Sequence, residues 1–170
     1  MGSFADKRVV VSGASRGIGL AIAKKLASDG ASIAILAKTT EPHPKLPGTI
    51  YTPAEEIVEA GGKGAPLVTD IRSEDQVQAA VAEAAPGFWR NRYLHQQCQC
   101  HLLTPTSRTE MRRFDLMFGV NVRGTFMLSR ECLPHLLQAE NPHILNISPP
   151  SICSRSGSHR TSLTPCPSSA

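Results

Sequence analysis

Short, β-branched apolar runs alternate along this chain with segments whose apolar residues recur every three or four positions. The first run, Val9-Val10-Val11 after Arg8, predicts a buried strand over 8–12. Ile18, Ala21, Ile22 and Leu26 then share one face of a helix over about 18–28, which Asp29-Gly30 stops as a C-terminal glycine does. A second run predicts a strand over 32–37. Thr52-Pro53 opens a second helix, with Pro at the first helical position and Glu55 and Glu56 set against the positive end of its dipole. Strand three follows over 65–69. A third helix begins at Ser73, where Glu74, Asp75 and Gln76 suit a capped first turn, and runs to about 85. A long helical pattern covers about 112–137, with a bend expected at Pro134, and a last apolar run predicts a strand over 144–148. Strands alternating with helices predict an α/β fold built on a parallel sheet with right-handed crossovers.

The turn between the first strand and the first helix carries the chemistry. Ser12-Gly13-Ala14-Ser15-Arg16-Gly17-Ile18-Gly19 closes a strand, turns on glycine and opens a helix. A turn without Cβ atoms lets a pyrophosphate approach the backbone, and the free N–H groups and positive end of the helix hold it there. Glycine triplets occur in many loops. This one has Gly-x-x-x-Gly-x-Gly spacing and the strand–turn–helix context that nucleotide binding demands. Gly13, Ser15, Arg16, Gly17, Ile18 and Gly19 are therefore candidate cofactor-binding residues.

That spacing resembles the short-chain dehydrogenase/reductase family, and other stretches agree. Asp70 ends the third strand, where the family places an acid beside the adenine. Asn121-Val122-Arg123-Gly124 resembles the family's Asn-Val-x-Gly helix motif, whose Asn belongs to the catalytic tetrad. His143 to Ser148 resembles the strand that leads to the catalytic serine. Residues 7–85 and 104–150 carry the resemblance, with an unusual insert over 38–51. It implies a Rossmann-like, doubly wound parallel sheet, incomplete here after the fifth strand. The implied chemistry is hydride transfer between a nicotinamide and a carbonyl or alcohol, of steroid or fatty-acyl type. A tyrosine is the acid/base, and a neighbouring lysine lowers its pKa towards working pH. The resemblance leaves an oligomer open for intact relatives, without fixing the oligomeric state.

Two segments, 88–103 and 151–170, break the resemblance where essential motifs should lie. One allowed codon choice for Trp89 to Leu102, read one base later, gives Gly-Gly-Ile-Asp-Ile-Phe-Ile-Asn-Asn-Ala-Ser-Ala-Ile, which resembles the family's fourth strand and Asn-Asn-Ala-Gly motif. A shifted reading of 151–170 likewise yields a Tyr-x-x-x-Lys signature, at the places held by Thr164 and Ser168. Both segments therefore read as frame-shifted. A dinucleotide-binding unit over 1–150 is expected, with 88–103 aberrant, the fourth strand disrupted and 151–170 a disordered tail. The two tyrosines of the chain, Tyr51 and Tyr93, have no Lys four residues on, so the acid/base is missing.

Lys38 bears on the choice of dinucleotide. An acid after strand two usually reads a ribose 2′-hydroxyl, and Lys38 stands there instead. A cation at that point can pair with a 2′-phosphate, and Arg16 can add a second contact. NADP is expected over NAD; the plainer reading is an exposed lysine at a strand end. Asn121 is catalytic by resemblance, supporting a water that links the lysine to solvent, or else a helix Asn bonded to backbone. For Ser148 two readings stand. Pro149 occupies the usual serine position, and Ser148 either substitutes for it or caps a strand.

The remaining composition mostly excludes. In 170 residues with a formal charge of +4, the basic residues are scattered, which argues against a nucleic-acid surface. No stretch approaches ~18 apolar residues, so no membrane span is expected. Met1 to Asp6 lacks a signal-peptide core, and Asp6 argues against myristoylation after Met1-Gly2. An intracellular, cytoplasmic setting is the default. The resemblance adds peroxisome or mitochondrion, although Ser168-Ser169-Ala170 is not a peroxisomal address. His95, Cys98, Cys100 and His101 offer four metal ligands at a spacing zinc sites do not use, so no metal is expected. Cys132 reads as a small buried hydrophobe. Three functions follow: an NADP-dependent oxidoreductase by ancestry, inactive in this chain; a catalytically dead NADP- or partner-binding module; and a small metal protein.

Overall fold

Val9 and Val11 face one side of the first strand and Val10 the other, and all three are at most 1% exposed. A strand buried on both faces needs a layer of helices on each side, and the chain supplies both. The computed structural model describes residues 4–41, 49–88, 92–96 and 105–147. In chain order they form β1 (Arg8–Ser12), α1 (Gly17–Ser28), β2 (Ser32–Ala37), α2 (Tyr51–Glu59), β3 (Lys63–Val68), α3 (Glu74–Phe88) and β4 (Arg92–Gln96). A 3-10 turn (Thr106–Arg108), α4 (Met111–Phe118), a π-helical segment (Gly119–Gly124), α5 (Thr125–Leu136) and β5 (His143–Asn146) complete the series. The strands pair in the order β3-β2-β1-β4-β5, all parallel.

Val9, Val11, Ile33 and Ile35 pack with Ala23 and Ala27 of α1 and Ile57 of α2. Val10, Ala34, Leu36 and Leu94 pack on the opposite face with Val77 of α3 and Leu128 and Leu136 of α5. Each fully buried branched side chain contributes roughly 1.5–3 kcal/mol over leaving it in water. The doubly wound architecture expected from the sequence is present, with the crevice between strand ends that this topology creates. Among the described residues no helix is long and apolar enough to cross a membrane.

The fourth strand corrects the expectation of disruption. Arg92–Gln96 pairs with β1 from Arg8↔Arg92 to Ser12↔Gln96, and with β5 from Tyr93↔His143 to Gln96↔Asn146. Ladder hydrogen bonds come from the backbone, and Tyr93 and Leu94 suit a pleated sheet, so polar neighbours do not prevent pairing. The polar cost persists within the strand. His95 and Gln96 are 3% and 4% exposed, and both His95 ring nitrogens and Gln96 Oε1 have no hydrogen-bond partner. Gln96 Nε2 donates to Ser129 Oγ at 2.7 Å, and that hydroxyl donates to the Thr125 carbonyl at 2.9 Å. The expected tail over 151–170 lies outside the described residues.

The long helix also differs from expectation. It is interrupted at Gly119–Gly124 by the π-helical segment, well before Pro134, which lies inside α5. A local widening of this kind commonly marks a functional region.

Candidate functional site

At the carboxyl ends of β1, β2 and β3 a cavity of about 170 Å³ opens, lined among others by Gly13, Ser15, Lys38, Asp70, Arg72 and Val120. The glycine turn forms one wall. Gly13 N–H donates to the Leu36 carbonyl at 3.1 Å, tying the turn to β2. Gly13 and Gly17 have φ of 77° and 59°, left-handed conformations that a Cβ disfavours. Arg16 precedes α1 in extended conformation, and the first turn of that helix has neither a side-chain cap nor an acid. Its N–H groups and dipole therefore favour an anion. Ser12 Oγ and Arg16 Nη1 are buried without a hydrogen-bond partner, as polar groups of an anion site are before the anion arrives. Ile18 is exposed at the start of α1, and Gly19 is buried one residue on.

Lys38 is exposed directly after β2, with Thr39 half-buried beside it. Asp70 lies two residues beyond β3, and its carboxylate is held by the Arg72 guanidinium. Hydrogen bonding from Arg72 lowers the Asp70 pKa to about 2, against an upward push from partial burial; the charge of Lys38 helps. The carboxylate thus stays an acceptor at any working pH.

Asn121 is half-buried within the π-helical segment, next to Val120 of the cavity wall. The glycine three residues later explains how that segment seats. A Cβ on Gly124 would stand 3.0 Å from Ile71 Cγ1 and 3.1 Å from the Ile71 carbonyl oxygen. Glycine there lets the segment close on the turn that carries Asp70. The fold therefore gathers Gly13, Ser15, Lys38 and Asp70 around one cavity, with Asn121 at its border. Ser148 lies outside the described residues, as do Cys98, Cys100 and His101. His95 is buried in the sheet. Cys132 is buried in the core, and desolvation pushes its thiol up to about 12, so it is inert.

The sequence reading missed Thr39, Ile71, Arg72 and Val120 as cavity-lining residues. A usable signal existed for the first three, since residues just past the ends of parallel strands border the ligand crevice.

A family model for the short chain dehydrogenases matches residues 7–162, and this chain belongs to that family of oxidoreductases. Membership implies a nicotinamide dinucleotide, NAD or NADP. Hydroxysteroid dehydrogenase-like protein 2 of Danio rerio is 52% identical over 149 residues, which are 88% of this chain and 36% of that protein. The Homo sapiens protein of the same name is 51% identical over 149 residues, with the same two shares. A short chain dehydrogenase structure from Mycobacterium thermoresistibile superimposes with a TM-score of 0.83 at 51% identity, covering 87% of this chain and 53% of that one. The chain thus spans about a third of the length of these curated relatives and about half of the solved one.

Proposed function

We propose that this chain binds NADP(H) in the cavity at the ends of β1, β2 and β3, and that it holds the cofactor without turning it over. The observation that carries the cofactor choice is Lys38 in the cavity wall directly after β2. An acid there would bond a ribose 2′-hydroxyl and repel a 2′-phosphate, whereas an ammonium pairs with the phosphate. Arg16 adds a second cation in the glycine turn.

In a complete relative such a dinucleotide would supply a hydride donor or acceptor at its nicotinamide. The residues of this chain account for binding. Gly13, Ser15 and the α1 N-terminus hold the pyrophosphate, with Ile18 and Gly19 closing that turn, and Asp70 accepts from the adenine. Asn121 stands where the family's asparagine would support a water linking the lysine to solvent, and Ser148 stands nearest in sequence to the place of the substrate-orienting serine. Moving a proton to a carbonyl oxygen needs an acid of tuned pKa. Glu55 follows Tyr51 by four residues and Gln97 follows Tyr93, so neither tyrosine has the lysine that would tune it. The name carried by the relatives supports a hydroxysteroid-type alcohol or ketone as the substrate of complete proteins.

Fluorescence titration of the 170-residue chain with NADPH and NADH tests the reading. NADPH should bind about tenfold tighter, a difference of ~1.4 kcal/mol. Equal or reversed affinities overturn the choice of NADP, and no binding of either overturns the dinucleotide reading.

A further inference from the structure

A second cavity, of about 280 Å³, lies over β4 and β5 on the face of the sheet that carries α1. Register decides its floor. Val9 pairs with Tyr93 and Tyr93 with His143, so the three share one face, and His95 and Leu145 follow two residues on. Ile22 and Leu26 of α1 border it, with Phe4. Phe4 meets the Tyr93 ring edge-on at 5.9 Å between centroids, and Tyr93 stacks on His143 at 5.4 Å. His95 is the polar exception in this apolar setting. It is 3% exposed with neither ring nitrogen hydrogen-bonded, whereas His143 Nδ1 lies 3.3 Å from the Asn141 carbonyl oxygen. Among the described residues lining this cavity there is no Lys, Arg, Asp or Glu, and none of them lines the cavity at the ends of β1, β2 and β3.

We propose that this cavity is a binding site for a neutral aromatic alcohol, whose hydroxyl donates to the unprotonated ring nitrogen of His95. A neutral imidazole offers one donor and one acceptor, and here both stand unused. Burial disfavours the imidazolium, so the acceptor nitrogen is retained. A hydroxyl supplies the missing partner without bringing a charge. A carboxylate would enter a cavity with no cation in its lining, and an ammonium one with no anion, and either loses its hydration uncompensated. An aliphatic alcohol could reach His95 but would leave the Phe4, Tyr93 and His143 rings without an aromatic neighbour. Size agrees. A dry cavity of ~150 Å³ takes one benzene ring, so about 280 Å³ has room for two fused rings.

Fluorescence titration of the 170-residue chain with 2-naphthol, and with naphthalene as the analogue lacking the hydroxyl, tests this in wild type, H95L and L26W. Wild type should bind 2-naphthol. H95L keeps an apolar side chain in place and loses the acceptor, so the preference for 2-naphthol over naphthalene should fall about tenfold, the worth of one hydrogen bond. L26W puts an indole into the cavity and should weaken both probes by about tenfold or more. Circular dichroism monitors folding, and L26W carries the test if H95L does not fold. Saturating NADPH should leave the affinity for 2-naphthol within about twofold, because the two cavities share no lining residue. Competition between the two ligands overturns the proposal by placing the probe in the other cavity. Failure of wild type to bind 2-naphthol overturns it, as does a preference unchanged in H95L. A stable dimer in ultracentrifugation that L26W dissociates also overturns it, by giving the cavity to a second copy of the chain. NADPH affinity is read separately, so the dinucleotide reading stands or falls on its own.

Discussion

His95 lies in parallel register with Val11, at the centre of the sheet, and neither of its ring nitrogens has a hydrogen-bond partner. An imidazole in this position stays neutral, because burial pushes its pKa below the ordinary 6.5. The sign of the pH dependence follows. Below about pH 6.5 the unfolded chain takes up a proton at His95 that the folded chain refuses, so stability falls as pH falls. His95→Leu should remove the orphaned nitrogens and raise stability by about 1–3 kcal/mol. It should also flatten the loss between pH 6.5 and the lower folded pKa. Urea unfolding of both chains at pH 7.5 and 5.5 measures this, and a variant no more stable than wild type at either pH contradicts it. Asp70 acts in a separate window. Its depressed pKa adds stability above 3.8 that is lost as pH falls towards about 2.

His95 also shows where the sequence could and could not be read. The spans of β1 and β2 follow from valine, isoleucine and alanine runs bounded by polar residues, because a doubly buried strand admits little else. The break in the resemblance over 88–103 predicts a disrupted fourth strand, yet strand pairing is made by the backbone, and the two strands flanking β4 supply both ladders despite its polar side chains. Side-chain composition reports the energetic cost of a strand better than its existence. The π-helical widening at Gly119–Gly124 leaves no periodic signal over so few residues. The glycine turn, Lys38 and Asp70 were legible because their spacing is local. The pairing of Arg72 with Asp70 depends on the turn geometry after β3, which spacing alone does not specify.

Lys38→Asp should move dinucleotide preference from NADPH towards NADH. The substitution replaces attraction for a 2′-phosphate with repulsion and supplies an acceptor for the 2′-hydroxyl. The ratio of the two dissociation constants should change by about tenfold or more, with most of the change on NADPH, since each tenfold is ~1.4 kcal/mol. Lys38 is exposed, so the melting temperature should hardly move. A ratio that stays within twofold (about 0.4 kcal/mol) would return Lys38 to an ordinary strand-end lysine.

Gly17→Ala separates space from conformation. A Cβ at Gly17 meets nothing within 4 Å, so crowding within the chain is not the issue. Its φ of 59° is the issue, and a left-handed conformation costs an alanine about 1–2 kcal/mol. Unfolding free energy should drop by that amount. Dinucleotide affinity should drop further, because the turn must hold its strained shape to present the N–H groups of α1. Calorimetric titration beside thermal melts distinguishes the two effects.

Gly124→Ala should be costly for the opposite reason. The added methyl would press on Ile71 Cγ1 and on the Ile71 carbonyl oxygen, which belongs to the turn holding Asp70. Overpacking of this kind costs typically about 1–3 kcal/mol. Backbone on one side of the contact cannot swing away as a side-chain tip can, so the Asp70 turn itself must shift. Denaturant unfolding gives the stability loss, and NADPH titration should show weaker binding of the adenosine half. A fully stable variant would mean that the π-helical segment moves freely against that turn.

The 170-residue chain should show no carbonyl-dependent NADPH oxidation above background. General acid–base catalysis contributes about 10²–10⁴-fold, and no tyrosine in the sequence has the lysine that would tune it. Binding and chemistry therefore separate: the cavity at the ends of β1, β2 and β3 should saturate with NADPH while the absorbance of the reduced nicotinamide stays constant. A chain carrying the alternate-frame residues over 88–103 and 151–170, and completed to the length of the relatives, should turn over a hydroxysteroid-type ketone. In that longer chain, changing the recovered tyrosine to phenylalanine should return the rate to background with NADPH affinity unchanged. Equal rates for the 170-residue and completed chains would show that the acid/base has been assigned to the wrong group.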